Sequence, residues 1–109
     1  MAFDELLAER VRQKIGKQKG LVEKKMFGGL AFLLNGNMSV GIHKNELIVR
    51  LDPEQTDDAL AQPHTHIFDI TGKPMKGWIL VKPAGLKNDA ALGKWVKTGV
   101  EYASALKKK

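Results

Sequence analysis

The sequence predicts an α+β domain. Apolar residues recur at helical spacing near both ends, they alternate with period two between Val22 and Leu51, and turn-forming residues punctuate that middle stretch. The architecture expected is an antiparallel sheet, a meander plus two further strands, packed with N- and C-terminal helices and one short middle helix. A chain of 109 residues suits one such unit with an ordinary core, so residues 1–109 are read as a single domain.

Residues 4 to 18 read as the first helix. Phe3, Leu7, Val11 and Ile15 repeat every fourth position, Asp4 is placed to cap the start, and Gly20 to stop the end. Arg10, Lys14 and Lys17 flank the apolar stripe, where cations near a helix C-terminus favour the dipole and lay their stems over apolar surface.

From Val22 the pattern is that of strands. Gly28-Gly29 permits a sharp turn or bulge, and Asn35-Gly36, between Leu30–Leu34 and Met38–Ile42, is the preferred pair for a type I′ turn. Met38, Val40 and Ile42 are expected on one face. Lys44-Asn45 closes a second hairpin into a segment where Leu47, Val49 and Leu51 share a face.

Asp52-Pro53-Glu54-Gln55 then announces a helix: Asp52 as N-cap, Pro53 in the first position, and Gln55 to complete a capping box. It ends near Gln62-Pro63 and leads into a loop with His64 and His66. Ile67–Ile70 and Trp78–Val81 follow as strands around the turn Thr71-Gly72-Lys73-Pro74. The last helix starts near Asn88 or Asp89 and sets Leu92, Trp95, Val96, Gly99, Ala103 and Leu106 on one face. Gly99 is expected to allow close contact with the sheet.

The chemistry-bearing residues point away from catalysis. There is no cysteine, which removes thiol nucleophiles and thiolate metal sites and suits a reducing compartment, the cytoplasm. Ser39 lies inside a strand and Ser104 near the end of a helix, neither in an elbow motif or beside a base. Gly72 and Gly77 have phosphate-loop spacing, but Trp78 stands where such a loop needs Lys. His64 and His66 with Asp69 form a conceivable metal set that lacks a clear further ligand, and His43 adds nothing. Asp52, Glu54, Asp57 and Asp58 fit the start of a helix, where the dipole favours acids. No cofactor is expected.

Contact surfaces remain. Arg50 closes a strand on the side opposite Leu47, Val49 and Leu51, and Met75, Lys76 and Trp78 cluster beside the Gly72–Gly77 turn. A large apolar residue with neighbouring cations suits an interaction surface. Arg10, Arg12, Lys14, Lys17, Lys24 and Lys25 are the candidate nucleic-acid contacts. Half of the formal net charge of +6 sits in Lys107, Lys108 and Lys109, which read as a frayed tail, and aromatics make up only 6% of the chain, so base stacking is poorly supplied. The N-terminus has acids where a signal peptide needs cations, and no apolar run approaches the roughly 18 residues of a membrane span.

Several segments resemble the N-terminal domain of TfoX-type (Sxy) competence regulators. They are Lys25-Met26-Phe27-Gly28-Gly29-Leu30-Ala31-Phe32, Gly36-x-Met38-x-x-Gly41, Leu47-x-x-Arg50, Phe68-Asp69-x-Thr71-Gly72-Lys73-Pro74-Met75-Lys76-Gly77-Trp78, and Trp95-Val96-x-x-Gly99-x-x-Tyr102-Ala103. The resemblance covers about residues 10 to 106. It implies an α+β fold similar to that of small secretion chaperones and a regulatory role beside a cyclic-AMP-responsive transcription factor, with no catalytic residues to carry over. Longer members append a helical second domain, so a stand-alone first domain is expected here. The reading is thus a non-enzymatic regulatory domain that binds a protein partner, transcription-related or a second copy. Direct nucleic-acid binding and a small-molecule or enzymatic role on the Arg50 side are the alternatives.

Overall fold

A computed structural model describes residues 4–26, 28–69, 72 and 75–106. The chain runs α1 (Glu5–Ile15), β1 (Leu21–Met26), β2 (Gly29–Leu34), β3 (Asn37–His43), β4 (Glu46–Arg50), α2 (Thr56–Leu60), β5 (Thr65–Ile67), β6 (Trp78–Val81) and α3 (Asp89–Ala105). A short 3-10 turn, Pro53–Gln55, leads into α2, and another, Pro83–Gly85, precedes α3. The six strands form one antiparallel sheet in the order β1-β2-β3-β4-β6-β5. The predicted meander accounts for the first four, and β6 enters beside β4 with β5 outside it.

Local chemistry sets the element ends. The Asp4 carboxylate accepts from the N–H groups of Leu6 and Leu7, and the Asn88 side chain does the same for Ala90 and Ala91, so each cap satisfies amide donors that the helix leaves over. Asn35 and Gly36 both take positive φ, 53° and 85°, as a type I′ turn requires. Lys44, at φ 57°, turns the next hairpin.

Three boundaries differ from the sequence reading. α1 stops at Ile15, because Gly16 takes a left-handed φ of 66° and donates its N–H to Arg12 C=O before Gly20 is reached. Asp52 caps the turn at Glu54 N–H as expected. The Gln55 side chain makes no reciprocal bond to Asp52 among the described residues, although its backbone N–H donates to Asp52 C=O, and Thr56 Oγ donates to Pro53 C=O. β5 begins at Thr65, so His66 belongs to a strand and not to a loop; its register neighbour is Leu80. Phe3, Ile70, most of the Thr71–Pro74 turn and Lys107–Lys109 lie outside the described residues.

The helices cover one face of the sheet. There Leu7, Ala8, Val11 and Ile15 of α1 and Leu92, Trp95 and Val96 of α3 close over Leu30, Phe32, Val40, Ile42, Leu47, Val49, Ile79 and Val81. Gly99 is a point of close contact between α3 and the sheet, as the sequence suggests. A Cβ there would fall on the Ser39 carbonyl oxygen and 2.6 Å from Val40 Cγ1.

A smaller apolar cluster occupies the opposite face, with Ala31, Met38, Ile48, Phe68 and Leu80 buried and Met26, Leu33, Met75 and Trp78 packed around them. Met38 was expected beside Val40 and Ile42 and lies here instead. The register slips between Phe32↔Val40 and Leu33↔Met38, leaving Ser39 as the extra residue, and such a bulge reverses the facing of whatever precedes it. The Ser39 hydroxyl is buried and donates to Phe32 C=O at 2.9 Å.

Candidate functional site

The most distinctive polar feature lies at the end of β4. Alternation along that strand turns Leu47 and Val49 to the helices, and Arg50 the other way. In register, Arg50 stands opposite Trp78. Its guanidinium carbon lies over the Trp78 ring, 5.0 Å from the centroid, and 5.6 Å from the centroid of Tyr102 on α3. Both distances fall within the range of cation–π attraction. Arg50 therefore joins the sheet to the last helix through two rings.

Trp78 is held by a chain of backbone bonds. Gly77, at φ 87°, gives its C=O to the Leu51 N–H at 2.9 Å and its N–H to Thr56 Oγ at 2.8 Å. The Trp78 N–H donates to Met75 C=O, the Met75 N–H to Phe68 C=O, and the Phe68 N–H to Trp78 C=O. The Phe68 and Trp78 rings are 5.9 Å apart, tilted by 47°. A left-handed residue is needed at 77 so that the loop can turn between β4 and α2, and glycine supplies it without a Cβ penalty. Phe68 is buried, Arg50, Met75, Trp78 and Tyr102 are half-buried, and Lys76 is exposed.

Beside Tyr102 a groove runs along α3, facing the Pro53–Gln55 turn and then α2. Its two ends have volumes of about 310 Å³ and 250 Å³ and share Leu51, Gln55 and Thr98, with Asp52 and Glu101 at one end and Asp58 and Lys94 at the other.

Comparison with known families fits this picture. Residues 13–103 match the model of the TfoX N-terminal domain. The chain belongs to that family. No match was found among curated proteins or solved structures.

Within this TfoX N-terminal domain the four residues expected to form an interaction surface are brought near one another: Arg50 by register with Trp78, and Met75 and Lys76 by the turn preceding it. Tyr102 completes the cluster. Sequence reasoning missed its role, although it sits three residues after Gly99, the helix–sheet contact.

The six cations proposed for nucleic acid lie on α1, just after it, and on β1. Arg10 donates to Leu86 C=O at 2.7 Å and to the Asp89 carboxylate at 3.0 Å. Its hydrogen bond, with a further contribution from Lys14, holds the Asp89 carboxyl below the ordinary range. Arg12 binds Glu23 through two bonds of 2.8 Å and Glu9 at 3.2 Å. The hydrogen bonds from Arg12 lower the Glu23 carboxyl, and those carboxylates raise Arg12. Lys14 lies along α3, its Cδ 3.6 Å from where a Gly93 Cβ would be. Lys17 follows the end of α1, and Lys24 and Lys25 sit on opposite faces of β1, all exposed.

His66 Nε2 lies 2.7 Å from a carboxylate oxygen of Glu46, a pairing that crosses the sheet past Leu80 and was not foreseen. Among the described residues no group of three or more His, Asp or Glu side chains could hold a metal ion, and no helix is long and apolar enough to cross a membrane.

Proposed function

We propose that this TfoX N-terminal domain is a non-enzymatic, cytoplasmic regulatory module that binds a protein partner, in a setting of transcription or competence control. The contact surface in this reading is Arg50, Met75, Lys76 and Trp78, with Tyr102 added. One observation carries it: a guanidinium held against Trp and Tyr rings, with neither an ion pair nor a hydrogen bond to a carboxylate among the described residues. Arg, Trp and Tyr are the residue types that dominate interface energetics, and here they are fixed in place before any partner arrives. The non-enzymatic part rests on the absence of cysteine and on the burial of the Ser39 hydroxyl against Phe32 C=O.

The test is photo-crosslinking from position 76, with the wild-type chain and an Arg50→Ala variant as baits. One protein captured by the wild type and lost with Arg50→Ala is the expected result. Equal capture by both, or none above a control bait, refutes the reading. Direct nucleic-acid binding is the weaker reading, since Arg10 and Arg12 are already engaged within the chain. Gel-shift titration at two salt concentrations checks it, because phosphate contacts weaken steeply with salt.

A further inference from the structure

β1 ends the sheet, and its outer edge is long and open. It has six residues, no proline and no bulge, and four in a row, Val22, Glu23, Lys24 and Lys25, are exposed on both faces. Val22 is 58% exposed, one of only two large hydrophobics so exposed among the described residues. β5, at the other edge, has only three residues, all half-buried. An open edge is a template for another strand.

The phase of the β1–β2 ladder decides which groups are free. Met26 and Gly29 close the hairpin, and Gly20 C=O accepts from the Asn35 N–H. Val22, Lys24 and Met26 therefore bond inward to β2, and Leu21, Glu23 and Lys25 turn their N–H and C=O groups outward. The Leu21 N–H is already taken by Gln18 C=O. Among the described residues nothing occupies either group of Glu23 or Lys25.

We propose that β1 pairs antiparallel with β1 of a second copy of this chain, about a two-fold axis at Lys24, so that the sheet continues across a dimer. Outward residues must face outward residues. Pairing Glu23 or Lys25 with its own copy sets like charges directly opposite with no unlike pair beside them to offset it, and pairing Leu21 leaves a ladder bond unmade. Only Glu23 opposite Lys25 uses both free groups of both residues, and symmetry repeats it. Unlike charges then face each other across both contacts, which favours a cross-strand pair. The Glu23 carboxylate, already accepting from Arg12, has lone pairs left for the partner's ammonium. On the other face Val22 gains Met26 of the partner subunit as an apolar neighbour. Lys24 meets its own copy at the axis, a repulsion that keeps the association weak and reversible. The proposal is independent of the Arg50 surface, which β2 and β3 separate from this edge.

Sedimentation velocity of the full chain from roughly 10 μM to 1 mM tests it, a range suited to a small interface. A monomer–dimer equilibrium is expected. Lys25→Pro removes an outward N–H without touching the bonds to β2 and abolishes the dimer. Glu23→Lys and Lys25→Glu, each alone, weaken it about tenfold by placing like charges opposite. An equimolar mixture of those two variants restores unlike charges at both contacts and yields a heterodimer, identified by its mass in native mass spectrometry. A monomer throughout the range overturns the proposal, as does a dimer indifferent to the charge variants or a mixture that associates no better than its components. Circular dichroism confirms the fold of each variant, and if Lys25→Pro fails to fold, the charge exchange decides alone.

Discussion

Alanine at Gly99 and at Gly93 should act in opposite directions although both lie in α3. At 99 the added methyl would meet the Ser39 carbonyl oxygen and Val40 Cγ1, and a strand backbone cannot swing aside as a side chain can. Overpacking of this kind costs about 1–3 kcal/mol. Replacing a helical glycine returns about 1 kcal/mol through helix propensity. Because the clash is with backbone, the upper part of that range applies, about 2–3 kcal/mol, and the net is a loss of about 1–2 kcal/mol, with α3 lifted from β3. At 93 the methyl meets only Lys14 Cδ at 3.6 Å, an ordinary contact with a flexible side chain, so most of the propensity gain of about 1 kcal/mol is retained. For a domain of this size 1 kcal/mol moves Tm by about 4–8 °C. Thermal and urea unfolding followed by circular dichroism should therefore place Gly93→Ala above the wild type and Gly99→Ala clearly below it. A Gly99→Ala protein as stable as the wild type would refute the claim that α3 touches β3 backbone at this residue.

Three further outcomes follow from the same geometry. Thr56→Val leaves the Gly77 N–H without its acceptor in a buried setting and should cost about 1–3 kcal/mol in urea unfolding, where an unchanged midpoint would speak against that bond. Arg12 lowers the folded-state carboxyl of Glu23, so the pair's contribution, at most about 1 kcal/mol for so exposed a pair, is present above the ordinary glutamate range and is lost as pH falls through the lowered folded value. The stability gap between wild type and Glu23→Gln should then be open at neutral pH and close in acid; a gap that widens in acid contradicts the sign. Arg50→Ala removes the cation from two rings and should cost about 1 kcal/mol while making Trp78 easier to quench with acrylamide in a Trp95→Phe background.

Much of the fold was legible because it is locally encoded. Asp4 and Asn88 cap helices through their own side chains, Asn35-Gly36 is a turn by its own φ preferences, and the alternation in Leu47, Val49 and Leu51 survives as written. What was misread depends on partners distant in sequence or on a choice between similar signals. Gly16 and Gly20 both suit a helix end, and the nearer one acts. The extra residue at Ser39 shows only once β3 is laid against β2, so Met38 was placed on the wrong face. His66 enters a strand because β6 is there to pair with it. For the candidate site, Arg50 and Trp78 could be singled out as residue types near turns, but Tyr102 joins them only through the path of α3 across the sheet.

The strand order also bears on how the chain emerges from a ribosome. With the first fifty residues out, the meander can form, yet the outer edge of β4 waits for β6 and Val40 for the helix that ends at Ala105. A nascent chain paused there presents an apolar sheet that α3 does not yet cover and an open strand, the combination that invites misassembly. Emergence of α3, more than any local signal, closes this domain.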